Sequence, residues 1–162
     1  MKVVITDYGY EHIEAERSII GSFGAELETG QCRTEEEVIE LAKDADAVIC
    51  QFAPITDRVI QNLSKCQVIV RYAIGVDNID VKSAESNGIH VCNVPDYGVE
   101  EVSDHTLLLL LSSLRNFLPL VKSVTDSNWS YLAAKPVHRI MGQTLGLVGF
   151  GRIPRAVVKK AL

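Results

Sequence analysis

The stretch LGLVGFGRIP at residues 145–154 joins a short apolar run to a glycine-rich turn, and AVVKKAL at residues 156–162 follows it. A strand, a G-x-G turn and an opening helix form the context in which backbone N–H groups hold a pyrophosphate. The stretch therefore predicts the start of a Rossmann dinucleotide-binding domain. Such a unit also needs a return strand and an acidic residue about 20 positions on. Neither fits before residue 162, so we expect a truncated cofactor domain.

Upstream of this motif, short β-branched runs alternate with helical patterns. This alternation is typical of a parallel sheet covered on both faces. The pattern predicts five strands, at residues 3–6, 25–28, 47–50, 68–70 and 89–92, and four helices, at residues 11–23, 34–42, 56–63 and 81–87. We therefore expect an α/β, flavodoxin-like domain with a parallel five-stranded sheet.

Local signals mark several helix ends. Thr34 and Glu37 have the spacing of a capping box, and Thr56 can cap the next helix. Gly24 and Gly88 stand where a helix commonly closes with a left-handed residue.

A turn-rich loop at residues 93–98 precedes a long helix predicted from about residue 100 to residue 116. We place a domain boundary there, with residues 1–98 in the first domain and residues 99–162 in the second. The leucine run at residues 107–111 is flanked by charged residues too closely for the ~20 apolar residues of a membrane span. It predicts a buried helix that crosses between domains, and residues 123–135 predict a helix end and a loop.

Composition excludes several classes of function. A net charge of −5 argues against binding nucleic acid or an anionic membrane by bulk electrostatics. The N-terminus leads directly into a strand pattern without a signal peptide, so we expect the cytoplasm. The four cysteines lack C-x-x-C spacing and are predicted to be buried and reduced, with no disulfide and no metal site: Cys32, Cys50, Cys66 and Cys92.

A second concentrated signal, RYAIGVDNID at residues 71–80, follows the fourth strand. Ligands of parallel sheets meet the loops at the carboxyl ends of strands. A glycine such as Gly75 lets backbone N–H groups approach an anionic oxygen, so this loop could hold a carboxylate. The alternative is that Gly75 serves a turn while Asp77 and Asp80 cap the next helix.

Four stretches, at residues 71–80, 93–95, 100–107 and 145–155, resemble in order and spacing the D-isomer-specific 2-hydroxyacid dehydrogenases. Residues 77–101 are similar to the C-terminal-binding proteins and to phosphoglycerate-dehydrogenase-like enzymes within that family. The resemblance implies a substrate-binding domain built from both chain ends, with the cofactor domain inserted between them. This chain would then be the N-terminal portion of such a protein.

The resemblance also implies site residues. The backbone around Gly75 corresponds to the loop that holds the substrate carboxylate and touches the nicotinamide side of the cofactor, and residues 52–54 correspond to the loop that closes over the substrate. The implied substrate-binding residues are Phe52, Ala53, Ile74, Gly75 and Val76, and the implied cofactor-binding residues are Ile74, Val102, Gly149, Gly151, Arg152 and Ile153. The cofactor would be NAD, with NADP left open, and the partners would be a small 2-hydroxy or 2-oxo acid and a second copy of the chain.

Two positions depart from the family pattern. Pro154 replaces the third motif glycine, and we expect it to be tolerated in the first turn of a helix, where its missing N–H has no intrahelical partner. Asp104 stands where the family often has glutamate, and we expect a structural role near a helix start.

No catalytic residue is assigned in this chain, because the family's catalytic arginine, histidine and acidic partner fall beyond residue 162. The four histidines are predicted to be structural or surface residues: His12, His90, His105 and His138. The resemblance implies hydride transfer between a 2-hydroxy acid and a nicotinamide cofactor in the whole protein, and inactivity of the 162 residues alone. Two alternatives stay open. One is an NAD-responsive dimeric binding protein like the C-terminal-binding proteins, and the other is a truncated domain that only folds and self-associates.

Overall fold

The computed structural model describes residues 1–162 and contains one five-stranded sheet in which every neighbouring pair of strands is parallel. Its strand order is β2-β1-β3-β4-β5, the order of the flavodoxin-like folds. The predicted fold class is confirmed. The strands are β1 Lys2–Ile5, β2 Glu26–Thr29, β3 Ala47–Cys50, β4 Val68–Arg71 and β5 His90–Cys92.

The chain forms two compact units, Met1–Asp96 and Tyr97–Leu162. The first contains the sheet and four helices, and the second is helical. The helices are α1 Glu14–Ser22, α2 Glu35–Ala42, α3 Asp57–Ile60, α4 Val81–Ser86, α5 Val99–Leu114, α6 Phe117–Thr125 and α7 Arg152–Ala161, with a short 3-10 helix at Tyr131–Ala134.

The helix-end signals are confirmed at the atomic level. Thr34 accepts a hydrogen bond from the backbone N–H of Glu37, and the Glu37 carboxylate accepts one from the backbone N–H of Thr34. Gly24 and Gly88 have φ values of 67° and 72°, in the left-handed region. The third helix, α3, is capped by Thr56 but ends three residues earlier than predicted. The last predicted turn of α3 is replaced by tight turns, in which the carbonyl oxygens of Val59 and Ile60 accept backbone hydrogen bonds.

The first unit buries its core on one face of the sheet. Right-handed crossovers place the helices after β2, β3 and β4 on the same face, because all three connections run in the same direction across the sheet. Accordingly α2 packs against α3, and α3 packs against α4. The fully buried side chains of Val4, Val48 and Ile69 lie in this core together with Val38 and Val59 from the helices.

The opposite face of the sheet is covered less completely. The connection from β1 to β2 runs in the other direction, so the same handedness rule assigns α1 to this face. Val3, Ile5 and Ile13 are buried, whereas Ile49 and Val70 are only half-buried. The predicted helices on both faces are therefore present, with unequal coverage.

The second unit differs from the sequence prediction in two ways. Asn116 adopts a left-handed conformation, with φ of 48°, and a further helix, α6, begins directly after it. The prediction that the leucine run is buried is wrong, because Leu108, Leu109 and Leu111 are about half-exposed. The long helix α5 packs mainly against α7 and α6, which leaves the rest of its apolar surface uncovered.

No single helix in the chain is long and apolar enough to cross a membrane. Helices α5 and α6, which meet at a bend of 69°, reach that length and apolar composition only when they are taken together.

The strand expected at residues 145–148 is not formed, because no strand of the chain pairs with it. The rest of the motif is as predicted. Gly149 has φ of 86°, and helix α7 begins at Arg152, directly after Gly151. Pro154 is the third residue of α7, so its ring is accommodated in the first turn.

Two glycine substitutions should have opposite effects on the stability of the first unit. Neither Gly88 nor Gly21 has an atom within 4 Å of an added Cβ, so packing does not distinguish them. Gly88→Ala forces alanine into the left-handed region at a cost of about 1–2 kcal/mol. Gly21→Ala places alanine inside α1, where it is favoured by about 0.8–1 kcal/mol. Urea unfolding should show a lower midpoint for Gly88→Ala and a higher one for Gly21→Ala, and equal shifts would contradict the assigned backbone conformations.

Candidate functional site

The site of the first unit lies at the carboxyl ends of β1, β3 and β4. The direction of the connections reverses between β1 and β3, and a parallel sheet opens a crevice at such a switch point. Asp7 follows β1 at this position and is only 4% exposed. Its carboxylate accepts hydrogen bonds from the backbone N–H groups of Gln51 and Phe52, at 2.9 and 2.6 Å, and from the hydroxyl of Thr6 at 3.0 Å.

The segment after β3 is held from a second direction by Arg71, the last residue of β4. The Arg71 Nε donates to the Gln51 carbonyl oxygen at 3.1 Å, and its Nη1 lies 3.2 Å from the Asp77 carboxylate. The Asp77 side chain is 91% exposed, so this ion pair contributes little to stability. The arginine itself is largely buried, and its main effect is to join the segment after β3 to the loop after β4.

Asn78 makes the closest link between those two loops. Its Nδ2 donates to the Ala53 carbonyl oxygen at 2.8 Å, and its own backbone carbonyl oxygen accepts from the backbone N–H of Ile55. A parallel bridge between Ile55 and Ile79 continues the contact. The Asn78 Oδ1 is buried without a hydrogen-bond partner. The amide is therefore fixed through its nitrogen rather than its oxygen.

The Gly75 turn is compact. A Cβ at Gly75 would lie 3.2 Å from both Asp77 carboxylate oxygens and 3.5 Å from the Arg71 Nη1. The Ile74 carbonyl oxygen accepts from the Asn93 side chain at 2.6 Å, which anchors the turn to the segment after β5. Asp80 caps α4 by accepting from the backbone N–H of Ser83, as the alternative interpretation of the loop predicts, whereas Asp77 pairs with Arg71 instead.

A shallow cavity of about 540 Å³ opens beside these loops. Its wall is formed by the outer side of residues 77–82 together with Pro54 and Thr56. Neither Phe52 nor Gly75 contributes to it. The cavity therefore lies next to the predicted substrate loops and does not coincide with them.

The structure joins the two loops that contain the predicted substrate-binding residues of the first unit. Asn78 and Arg71 connect the two short segments that contain them, although about 20 positions separate these segments in the sequence. Within them, Phe52 is 66% exposed, Ala53 is 2% exposed and Ile74 is 37% exposed.

The remaining predicted residues lie in the second unit. Gly149, Gly151, Arg152 and Ile153 form the turn and the start of α7, and Val102 lies in the first turn of α5. The Lys160 Nζ fastens α7 to α5 through the Ser103 hydroxyl and the Asp104 carboxylate, each at 2.6 Å. The Asp104 carboxylate, followed by that of Glu100, raises the pKa of Lys160. Asp104 therefore has the structural role expected of it, through a lysine partner.

Three residues of the site were assigned no role from the sequence: Asp7, Arg71 and Asn78. Each acts through contacts to residues 20 or more positions away. The only sequence signals were that Asp7 and Arg71 directly follow predicted strands one and four, and that Asn78 lies in the loop after strand four.

The histidines and cysteines agree with the sequence prediction except at one position. All four histidines are exposed. All four cysteines are free, and Cys32, Cys50 and Cys66 are buried, but Cys92 is exposed because it ends the edge strand β5. Burial, followed by the neighbouring Asp7 carboxylate, raises the pKa of the Cys50 thiol to about 12. No group of three or more metal-binding side chains occurs in the chain.

The fold defines a flavodoxin-like α/β protein with a loop site at the carboxyl edge of its sheet. Residues 3–151 match the family model described as the catalytic domain of D-isomer specific 2-hydroxyacid dehydrogenases. The chain belongs to this family.

Two curated relatives illustrate the match. The chain is 35% identical over 162 residues to a D-3-phosphoglycerate dehydrogenase of Methanocaldococcus jannaschii, covering 99% of this chain and 30% of the relative. It is 35% identical over 133 residues to a glyoxylate reductase of Pyrococcus furiosus, covering 78% of this chain and 40% of the relative. The chain therefore spans well under half the length of these proteins.

Two solved structures share the fold of this chain. The TT0316 protein of Thermus thermophilus superposes with a TM-score of 0.81 at 29% identity, over 99% of this chain and 52% of that protein. An acyclic imino acid reductase solved with NADPH and D-Arg superposes with a TM-score of 0.87 at 26% identity, over 99% and 52% of the two chains.

The environments of the thiols predict selective labelling of the 162-residue chain. At pH 8, one thiol should react rapidly with dithiobis(nitrobenzoate), because only Cys92 is exposed, and all four should react in denaturant. Burial raises the pKa of the Cys32 and Cys66 thiols as well as that of Cys50, and thiolate is the reactive form. Cys92→Ser should abolish the rapid phase, while Cys32→Ser should retain it. Rapid reaction of two or more thiols would contradict the described packing.

Proposed function

We propose that the chain is the N-terminal portion of an NAD(P)-dependent D-2-hydroxyacid dehydrogenase. Residues 1–98 form the N-terminal share of its substrate-binding domain, and residues 99–162 form the interdomain helix and the start of its cofactor domain. The substrate is a small 2-hydroxy or 2-oxo acid. The relatives named as glyoxylate, hydroxypyruvate and phosphoglycerate enzymes favour this activity over a purely cofactor-sensing binding protein.

One observation carries the proposal. The family resemblance marks residues 52–53 and 74–76 as substrate-binding, and the loops that contain them are joined at the carboxyl edge of the sheet by the 2.8 Å hydrogen bond from Asn78 to Ala53. They therefore form one wall, which we call the substrate wall. This wall offers backbone groups near Gly75 and the exposed ring of Phe52.

The chemistry of this wall suits a small carboxylic acid. A glycine turn exposes backbone N–H groups to an anionic oxygen without a Cβ in the way. The largely buried Arg71 lies in the same loop, with its positive charge paired to Asp77. The Phe52 ring can cover an apolar part of the substrate and exclude water from it. The catalytic arginine and histidine are proposed to come from the rest of the whole protein.

The turn at residues 149–153 fits a dinucleotide pyrophosphate in its local geometry. An added Cβ at Gly149 or Gly151 would meet no atom within 4 Å, so both glycines are open. The first turn of α7 follows directly and directs backbone N–H groups towards this space. When bound there, the nicotinamide cofactor supplies hydride transfer. NAD is our first choice, with NADP as the alternative.

The 162-residue chain by itself should not bind NADH in the micromolar range, and should not oxidise 2-hydroxy acids. It contains the glycine turn but neither the ribose-binding carboxylate nor the adenine cleft of a complete site. Each missing charge-assisted hydrogen bond is worth about 1.5–3 kcal/mol, so two of them weaken binding by a few powers of ten. Calorimetric titration with NADH measures this directly.

The full-length protein is the matched comparison. It should bind NADH and consume it with glyoxylate or hydroxypyruvate, followed by absorbance. A full-length protein that binds NADH but turns over no 2-oxo acid would contradict the enzyme assignment. That result would favour the alternative, an NAD-responsive binding protein. Micromolar binding by the short chain would show that the cofactor site has been misplaced.

We also propose that the second unit forms a homodimer through the apolar surface of α5 and α6. Its exposed members are Leu108, Leu109, Leu111, Leu114, Phe117, Leu118, Val121 and Val124. A concentration of exposed apolar side chains on a helix pair is typical of a protein interface.

A charged substitution within this patch should dissociate the dimer. Leu118, in α6, is 76% exposed, and Phe23, after α1, is 78% exposed. Sedimentation of the 162-residue chain should show a dimer for the wild type and for Phe23→Glu, and a monomer for Leu118→Glu. A monomeric wild type, or an equal effect of both substitutions, would refute this interface.

A further inference from the structure

Asp7 is a buried acidic group that the proposed function does not use. It lies directly after β1 and is 4% exposed, which is unusual for an aspartate unless its oxygens are paired. Both oxygens are paired here. One accepts from the Gln51 N–H and the Thr6 hydroxyl, and the other accepts from the Phe52 N–H at 2.6 Å.

These contacts concentrate on one short piece of backbone. The side-chain oxygen of Gln51 accepts from the Gly9 N–H at 2.6 Å. The backbone carbonyl oxygen of Gln51 accepts from the Arg71 Nε. The carbonyl oxygen of Ala53 accepts from the Asn78 side chain. The backbone of residues 51–53 is therefore fixed from β1, from β4 and from the loop after β4. Only the Phe52 side chain extends from it into solvent.

We propose that Asp7 is the positioning residue of the substrate wall, and that the backbone of residues 51–53 is a fixed part of that wall in which only the Phe52 ring adjusts to the substrate. The proposal rests on the function proposed above. Asp7 itself touches no substrate. Its negative charge orients two consecutive N–H groups, and charge-assisted bonds of this kind are about twice as strong as neutral ones. Loss of the carboxylate frees the loop and weakens substrate binding without removing a reacting group.

The chain offers a matched control at the other end of the same strands. The Asp46 carboxylate accepts from the backbone N–H of Lys2 at 2.6 Å, so it also joins β1 to β3. This contact lies at the amino ends of the strands, away from the site. Asp46→Asn therefore tests the loss of a similar bond without a change in the wall.

The experiment compares Asp7→Asn and Asp46→Asn in the full-length protein. Hydrogen exchange of a peptide covering residues 51–56 should be about tenfold faster or more in Asp7→Asn and unchanged in Asp46→Asn, as expected for loss of one charge-assisted bond. The KM for glyoxylate with NADH should rise by about the same factor in Asp7→Asn. The kcat should change much less, because uniform binding is lost rather than transition-state contacts. Urea unfolding should show a larger stability loss for Asp7→Asn, because Asp7 is buried and accepts three hydrogen bonds whereas Asp46 accepts one from Lys2.

A second variant keeps the test decisive if Asp7→Asn does not fold. Thr6→Val preserves shape and removes the hydroxyl that contacts Asp7 at 3.0 Å and the Ile49 carbonyl oxygen at 3.3 Å. It should change exchange and KM in the same direction by a smaller factor. Unchanged exchange at residues 51–56, or a fall in kcat with KM constant, would overturn the proposal. A wild-type protein without activity on glyoxylate or hydroxypyruvate would instead overturn the proposed function, while the exchange data would still decide whether Asp7 fixes the loop.

Discussion

The right-handed crossover between parallel strands is the constraint from which the rest of the first unit follows. With strand order β2-β1-β3-β4-β5, one connection runs in one direction and three run in the other. The core therefore collects on the face of α2, α3 and α4, and the switch between β1 and β3 opens at the carboxyl edge. Asp7 and Gln51 become neighbours because the chain emerges from the sheet on either side of that switch. The strand order and the direction of the connections thus determine where the site forms, and the side chains then determine its contacts.

Features governed by local energetics were predictable from the sequence. The Thr34–Glu37 capping box and the glycine that closes α4 each depend on residues within one helical turn. The parallel sheet followed from repeated alternation, and the two proposed substrate segments rest on a family resemblance. What the sequence did not reveal depends on distant partners. Asp7 reaches its partners across 44 residues or more, and a buried acceptor of this kind leaves no periodic pattern.

The errors have the same origin. Propensity cannot show that Asn116 adopts a left-handed conformation, which is stabilised by its side-chain bonds to the Ala134 and Pro136 carbonyl oxygens. Apolar composition alone does not reveal whether a surface has a partner, so the leucine run of α5 was expected in a core. A strand likewise exists only when another strand pairs with it, and residues 145–148 have none. Each error concerns the tertiary contacts of a segment, not its local conformational propensity.

Pro154 changes how the start of α7 can attract an anion. A proline at the third position has no N–H, so the first turn presents one directional donor fewer than the usual glycine-type motif. The helix has two basic side chains near this start, Arg152 and Arg155, and two in its last turn, Lys159 and Lys160. Arg155 donates to the Phe150 carbonyl oxygen at 3.1 Å, and Lys160 is engaged with α5. A pyrophosphate bound at this turn, as proposed above, would therefore rely more on diffuse charge than on aligned hydrogen bonds. Diffuse charge is screened by dissolved ions over about 10 Å at 0.1 M, so the affinity of that complex would fall as ionic strength rises.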